Sequence, residues 1–466
     1  TYQSIYDQID WRIYNTYEHS KYEFIVHPKG SINDIVLSIG GADRLFVEDG
    51  QLFIKTSVGF IVESPPYAYQ IVNGKKQEVS CEFVINGEQV SFRVGKYNKR
   101  YDLIIDPELI FSTLSGSTAD NWGNSACVDK EGNLFGVGTV FSSNGSNGID
   151  LDGFPTTPGA FQESLNVDQG PLWSNTFTDI GVMKFSADGS QLLYATYIGG
   201  RECDVPTSSI VDEQGNLYIL TVTSSNNLPG AINSFAGGDY AVPGTYHSFP
   251  SGTDIAIIRL NQDGSSVLST RYVGGTKNDG IMEAFLGIAG TDRNNLVYNY
   301  GDQFRGDINI DSIGNVYVGS VTQSSDFPVK DAFQNTFGGV IDGVAFKLSG
   351  DLSTVQWSTY IGGDSLDAVY GILRDSEDNL FVTGGTNSNN FPTTSGVLNE
   401  VRLGGVDGFL ARINKDGDSL LASTLVGTNE YDQSYFVQLD TADNPYLLGQ
   451  TNGEYLVQNS KYVEPN

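Results

Sequence analysis

Apolar and polar residues alternate in short runs along most of this chain, and one pattern of runs recurs five times. Each copy has an apolar run, an acidic turn with Gly or Asp before Asn, and a second run rich in Val, Tyr, Phe, Leu and Ile. The copies begin at Cys127, Ile210, Asn309, Leu373 and Gln438. Gly and Asn tolerate the positive φ of a tight turn, and β-branched and aromatic residues suit strands, so each copy predicts a β-hairpin.

A second hairpin pattern alternates with the first. It starts at Asp179, Asp254, Asp342 and Asp407, and an Asp-Gly turn divides three of the four copies. A Phe-Pro or Leu-Pro corner lies between the two patterns and predicts a loop, because proline has no N–H to donate to a strand ladder. One repeat is therefore two hairpins, or four antiparallel strands, and no run with helical periodicity competes with this interpretation within the repeats.

Four-stranded units repeated at a period of tens of residues are typical of the blades of a β-propeller. We predict an all-β fold, with a β-propeller of about five blades over residues 106–466 and an antiparallel, sandwich-like β domain over residues 1–105. The final unit supplies two strands, and a fourth-strand pattern at 110–116 precedes the first unit. This arrangement fits either a piece of a longer protein, cut after about four and a half blades, or a closed five-bladed ring with an irregular last blade.

The repeat resembles the SBBP family of bacterial β-propeller repeats. In the third unit the resemblance includes Asn315 and Tyr317 after the first turn, the Phe327-Pro328 corner, and the Ser-Thr-Tyr-Ile-Gly-Gly end at 358–363. It extends over roughly residues 109–458, and the residues before it look like the β-rich domain that commonly precedes these repeats. The resemblance implies a secreted or cell-surface protein on the outer side of a bacterial outer membrane, exported by a type 9-like secretion system.

Composition excludes several classes of partner. The chain has 466 residues with 26 Lys and Arg against 56 Asp and Glu, a net charge of −30. This argues against nucleic acid, which needs a basic surface, and against anionic membranes, whereas cationic partners and divalent metal ions are favoured. No apolar stretch approaches the roughly 20 residues of a membrane span, and the chain begins without a signal-peptide pattern, as expected of a mature or trimmed product. Cys81, Cys127 and Cys203 form no C-x-x-C motif and are predicted to be small buried thiols.

Motifs for catalysis are absent from the sequence. The three histidines form no spaced pair, and there is no metalloprotease, nucleophile-elbow, phosphate-loop or dinucleotide motif. The recurring turn Asp residues are predicted to bond their own turns, as Asp does at such corners. One insertion, 142–159, places Asp150 and Asp152 next to Gly153 in an oxygen-rich loop, the ligand type that calcium prefers. We predict a calcium site there, with a plain solvated loop as the alternative, because the loop lacks the third acid and distal Glu of an EF-hand.

The expected function is that of a non-catalytic binding, adhesion or structural module within a larger surface protein, with a surface protein or polysaccharide as partner. The alternatives are a carbohydrate-binding or carbohydrate-active propeller and a passive spacer or cargo region of a type 9-secreted protein. Trp357 sits at a strand position and is predicted to be core, whereas Trp122 and Trp173 lie in loop-like sequence. A local function is expected where the repeat is broken, in the insertions after Ser142 and after Thr276 and at the incomplete final blade.

Overall fold

The computed structural model describes residues 2–15, 20–39, 42, 44–48, 50–56, 59–107, 117, 119–142, 153–166, 178–187, 189, 191–232, 252–282, 296–297 and 302–454. In these residues the fold is all-β, with thirty strands and two short 3-10 turns at Ile32–Asp34 and Asp302–Phe304. No helix in this part of the chain has the length and apolar character to cross a membrane. Two compact units are distinguished: Thr1–Thr113 with Asp440–Ala442, and Leu114–Leu439 with Asp443–Asn466.

Twelve strands build the first unit. They are β1 (Tyr2–Tyr6), β2 (Ile9–Asn15), β3 (Ser20–Val26), β4 (Leu37–Ser38), β5 (Arg44–Glu48), β6 (Gln51–Thr56), β7 (Gly59–Glu63), β8 (Pro66–Val72), β9 (Lys75–Val79), β10 (Cys81–Asn86), β11 (Gln89–Val94) and β12 (Leu103–Pro107). They form a six-stranded sheet, β1-β2-β3-β12-β8-β9, and two three-stranded sheets, β10-β11-β4 and β5-β6-β7. Phe24 of the large sheet packs against Phe92 of β11, with ring centroids 5.9 Å apart, so these two sheets share a core.

Eighteen strands build the repeats. They are β13 (Asn121–Val128), β14 (Leu134–Phe141), β15 (Thr178–Phe185), β16 (Leu192–Ile198), β17 (Asp204–Val211), β18 (Leu217–Thr223), β19 (Asp254–Leu260), β20 (Val267–Val273), β21 (Asp307–Ile310), β22 (Val316–Thr322), β23 (Asp342–Leu348), β24 (Val355–Ile361), β25 (Asp367–Arg374), β26 (Leu380–Thr386), β27 (Asp407–Ile413), β28 (Leu420–Val426), β29 (Asp432–Leu439) and β30 (Pro445–Thr451).

These strands form four antiparallel four-stranded sheets in sequential order, from β13-β14-β15-β16 to β25-β26-β27-β28, and a two-stranded sheet, β29-β30. The first strands of consecutive sheets lie side by side, β13 beside β17, then β21, β25 and β29. The sheets are therefore blades with the first strand innermost. The predicted all-β, propeller-type architecture is confirmed, and the fourth-strand pattern predicted at 110–116 lies outside the described residues.

The first hairpin of each blade turns as its sequence predicts. The residue before Asn takes the left-handed conformation in every copy: Gly132 (φ 82°), Gly215 (82°), Gly314 (91°), Asp378 (69°) and Asp443 (60°). The turn Asp accepts backbone N–H groups, as when Asp311 Oδ1 accepts from the nitrogen of Asn315 at 2.7 Å. The structural role predicted for these acids is thereby confirmed for the first four turns, and Asp440 accepts from the nitrogen of Ala442 in the fifth.

The core lies between successive blades. The apolar residues of three proline corners, Leu228, Phe327 and Phe391, are buried there, as are Trp357, 2% exposed, and the aliphatic residues of the second and third strands. Trp357 is therefore core, as predicted. Cys203 is buried, and Cys81 and Cys127 are half-buried. Burial raises the pKa of Cys81 to about 12 and that of Cys127 to about 11, so neither is poised to react as a thiolate.

Candidate functional site

The two-stranded fifth sheet presents an apolar face to solvent. Phe436 on β29 lies opposite Leu448 on β30, and Tyr446 projects from the same side of β30, two residues before Leu448. Their side chains are 53%, 65% and 53% exposed, respectively. In the described part of the chain β30 pairs with β29 alone, and its sequence, Pro-Tyr-Leu-Leu-Gly-Gln-Thr, contains no charged residue. Its outer edge therefore combines available backbone groups with apolar side chains and lacks the charges that usually protect an edge.

The same strand is covered in the complete blades. Strand β18 carries the same Tyr-x-Leu sequence, yet Tyr218 is 1% and Leu220 2% exposed. The edge of β18 that faces away from β17 is paired with β19. The face of β18 that carries Tyr218 is covered by the next blade, where Tyr218 Oη donates to the carbonyl oxygen of Gly350 at 2.7 Å. In a complete blade, a third strand pairs with the edge of the second strand, and the next blade covers its face. In the fifth sheet the equivalent edge and face belong to β30, and the face is exposed.

Each complete blade also places a cation directly across from the aromatic ring of its second strand. The third-strand Lys or Arg lies 4.6–5.5 Å from the ring centroid in every case. It also reaches the turn Asp of the same blade, with N···O distances of 3.0 Å for Lys184, 3.4 Å for Arg259, 3.5 Å for Lys347 and 2.8 Å for Arg412. The ring, cation and acid sets are Phe135, Lys184 and Asp129; Tyr218, Arg259 and Asp212; Tyr317, Lys347 and Asp311; Phe381, Arg412 and Asp375.

The cation offsets the cost of burying the turn acid. Burial raises the pKa of Asp129, but the Asn133 side chain and Lys184 outweigh burial and hold that pKa below its usual value. The same balance lowers the pKa of Asp375, where Arg412 is the largest lowering cause. In the fifth sheet Asp440 and Tyr446 hold the equivalent acid and ring positions.

A second group of acids is buried where one blade meets the next. Asp342 begins a third strand and Asp367 begins the first strand of the following blade, and both are fully buried. A point at the Cβ position of Gly362 lies 2.7 Å from Asp342 Oδ1 and 3.0 Å from Asp367 Oδ2, which explains a glycine there. Burial raises the pKa of Asp342 to about 7 and that of Asp367 to about 6, and the charge of Asp367 adds to the effect on Asp342.

A cleft of about 300 Å³ lies at the turn end of the second and third blades. Asp212, Glu213, Asp311 and Arg374 line it, together with Val211 and other turn residues. Asp212 and Asp311 already accept their own turn N–H groups and pair with Arg259 and Lys347. Within the described residues, the lining contains no aromatic side chain against which a sugar ring could stack.

The residues predicted as a calcium site, Asp150 and Asp152, lie outside the described residues, as does Trp173. The prediction of calcium binding there stays a prediction. Trp122 is 44% exposed and packs edge-on against Phe141, with centroids 4.6 Å apart. Among the described residues no group of three or more His, Cys, Asp or Glu side chains is arranged to hold a metal ion.

Comparison with protein families agrees with the repeat architecture. Residues 356–392, from β24 through β26 to the corner at Phe391-Pro392, match the SBBP beta-propeller repeat. The chain contains an SBBP-type β-propeller repeat. Residues 1–108 match a domain of unknown function, DUF7948, which covers the first unit. No curated protein matches the chain.

Solved structures similar to this chain are distant. A protein of unknown function from Dyadobacter fermentans is 9% identical, with 89% of this chain and 96% of that chain covered and a TM-score of 0.35. A mutant NanB sialidase from Streptococcus pneumoniae is 9% identical, with 94% and 64% covered and a TM-score of 0.32. A gluconolactonase from Xanthomonas campestris is 11% identical, with 83% and 92% covered and a TM-score of 0.28.

Sequence analysis expected local function in the insertions and at the incomplete final blade, but it did not predict which side chains of β29 and β30 are exposed. The apolar pattern of β30 reads as an ordinary second strand, so nothing local marks it as exposed. The cation of each third strand was also missed, although a signal for it exists. Lys or Arg follows the first Asp of the second hairpin pattern by five residues in all four copies, at Lys184, Arg259, Lys347 and Arg412.

Proposed function

We propose that this SBBP-type protein is a non-catalytic binding module whose partner is a protein that adds a β-strand to the outer edge of β30. The single observation that supports this most strongly is the exposure of Tyr446 and Leu448, whose equivalents Tyr218 and Leu220 are buried under a third strand and a neighbouring blade. The cell-surface setting implied by the sequence resemblance is part of the proposal.

Strand addition suits this edge for two physical reasons. Backbone N–H and C=O groups on an open edge form a ladder with any extended segment, and side chains of alternate residues then decide which segment is accepted. Natural edges are usually blunted by Lys, Pro or a bulge, whereas β30 has proline at its first residue alone and no charge. An apolar, uncharged edge is therefore favourable for a partner and costly to leave in water.

Binding is favoured over catalysis by the way the acids are used. The two buried acids of the turn-end cleft, Asp212 and Asp311, are held by their own turns and by third-strand cations. The pKa of Asp311 is below its usual value because its hydrogen bonds and Lys347 outweigh burial, so it is a poor proton donor at neutral pH. A glycosidase needs one carboxyl group that stays protonated as the general acid, and Asp311 does not fit that role.

The test is a binding titration of the whole chain with a labelled peptide of residues 254–275, the third and fourth strands of the second blade. This hairpin is the natural cover of a Tyr-x-Leu strand, since Ile257 pairs with Leu220 and Arg259 with Tyr218. We expect saturable binding, measured by fluorescence anisotropy, which Leu448→Lys weakens at least about tenfold, because a strand docked there would bury the introduced charge. Leu421→Lys, on a leucine that is 47% exposed on β28, is the matched control and should bind like the wild type.

Equal affinity of the Leu448→Lys and wild-type chains for the peptide would contradict the proposal. Light scattering on the chain without peptide tests whether a second copy of the chain covers the edge of β30. A dimer that Leu448→Lys converts to a monomer would mean that a second copy covers the edge, and the partner-protein proposal would then be wrong.

A further inference from the structure

The four complete blades specify what a strand docked on β30 should carry. In each of them the second-strand ring pairs directly across the ladder with the third-strand cation, as Tyr218 does with Arg259 and Tyr317 with Lys347. The residue two positions before that cation lies opposite the residue two positions after the ring, as Ile257 lies opposite Leu220. Two adjacent same-face positions of the docked strand are therefore defined.

Strand β18 is the best template for β30, because both present Tyr and Leu in the same order and on the same face. Arg259 Cζ lies 5.4 Å from the Tyr218 ring centroid, and its Nη2 lies 3.4 Å from Asp212 Oδ2. Tyr446 follows Asp440 by six residues, as Tyr218 follows Asp212. A cation opposite Tyr446 would thus face its ring, as Arg259 faces the ring of Tyr218.

We propose that the partner strand is recognised by an apolar residue opposite Leu448 and an Arg or Lys opposite Tyr446, in antiparallel register with β30. This inference rests on the proposed function and adds the chemical class of the partner, an apolar-x-basic strand. The cation gains from the ring face and from the negative field of a chain with a net charge of −30. Arg is favoured over Lys in one respect, because its planar guanidinium stacks on a ring.

A double-mutant cycle tests the inference. The peptide of residues 254–275 is used with and without Arg259→Met, against the wild-type chain and Tyr446→Leu. We expect Arg259→Met to weaken binding to the wild-type chain about tenfold, and to weaken binding to Tyr446→Leu about twofold or less, since the ring that the cation faces is gone. Arg259→Lys should retain most of the affinity. Arg271→Met removes the same charge from the fourth strand and is the matched control for net charge.

The outcomes separate the inference from the proposed function. Binding of the peptide that Leu448→Lys weakens but Arg259→Met does not would leave strand addition standing and overturn cation recognition. Equal losses from Arg259→Met and Arg271→Met would show a general charge effect and also overturn it. If the wild-type peptide does not bind at all, the proposed function fails first, and the inference fails with it.

Discussion

Strands β18 and β30 carry the same Tyr-x-Leu sequence in opposite environments. Tyr218 and Leu220 are 1% and 2% exposed, whereas Tyr446 and Leu448 are 53% and 65% exposed. The other face of β18 is buried as well, since Leu217 and Ile219 pack in the core shared with the preceding blade, whereas β30 is exposed or half-buried along its whole length. The second strand of this repeat carries apolar side chains that suit a buried position, and β30 carries them in an exposed one. The exposed strand therefore identifies a surface on which a further strand would bind favourably.

The largest difference in the free energy of unfolding is expected between alanine variants of two equivalent leucines, Leu220 of β18 and Leu448 of β30. Leu220→Ala removes a fully buried side chain from the core between the second and third blades and should lower the free energy of unfolding by about 3 kcal/mol. Leu448→Ala should cost less than about 1 kcal/mol, because the side chain is mostly in water. Urea unfolding followed by Trp fluorescence measures both. Equal losses would mean that Leu448 is covered in solution, which would remove the basis for strand addition.

The sequence predicts those features that are made by residues close together in the chain. The hairpins, the turn acids and the proline corners recur in fixed order, so local pattern predicts them, and Gly132 and Gly314 adopt the positive φ expected of the turn. The first unit has no repeat to compare. Residues 51–63 form two of its strands, β6 and β7, with Ile54 opposite Ile61. With no second copy to align, the point of chain reversal between these strands has no recurring sequence marker.

Features made by long-range packing were beyond the sequence. Asp129 and Lys184 are far apart in the chain, and their contact depends on β15 pairing with β14. The exposure of Tyr446 depends on which strands follow β30 in space, and the same residues in β18 are buried. The sequence therefore indicated the incomplete final blade as one place for a function, beside the insertions, but it did not predict the exposed side chains of β30.

The second prediction compares two blade junctions through their pH dependence. Asp342 lies between complete blades and Asp407 lies between the fourth blade and the fifth sheet, and both are fully buried. Burial raises the pKa of Asp342 to about 7, and it raises the pKa of Asp407 as well, where the backbone N–H groups of Leu403 and Gly404 oppose the shift. A carboxyl with a raised pKa holds its proton more tightly when folded. Its contribution is full below the ordinary pKa near 4 and is lost as the pH rises through about 7.

The wild-type chain should therefore lose stability between pH 4 and 7, with Asp342 contributing up to about 1.4 kcal/mol per pH unit. Asp342→Asn should flatten this slope more than Asp407→Asn does, as measured by urea unfolding at several pH values. Slopes that neither variant changes would show that these acids are ionised in the folded chain and that burial there is offset by other groups.

The smallest effect on the free energy of unfolding is expected from removing the hydroxyl oxygen of one tyrosine. Tyr218 Oη donates to the carbonyl oxygen of Gly350 at 2.7 Å, a contact between the second and third blades. Tyr218→Phe should cost about 1 kcal/mol, because it leaves a carbonyl in the blade interface without this donor. Tyr446→Phe should change the free energy of unfolding by less than about 0.5 kcal/mol, and it should retain peptide binding because the ring face remains. If Tyr446→Phe is as costly as Tyr218→Phe, the hydroxyl of Tyr446 contacts protein in solution, and the two strands differ less than their exposures indicate.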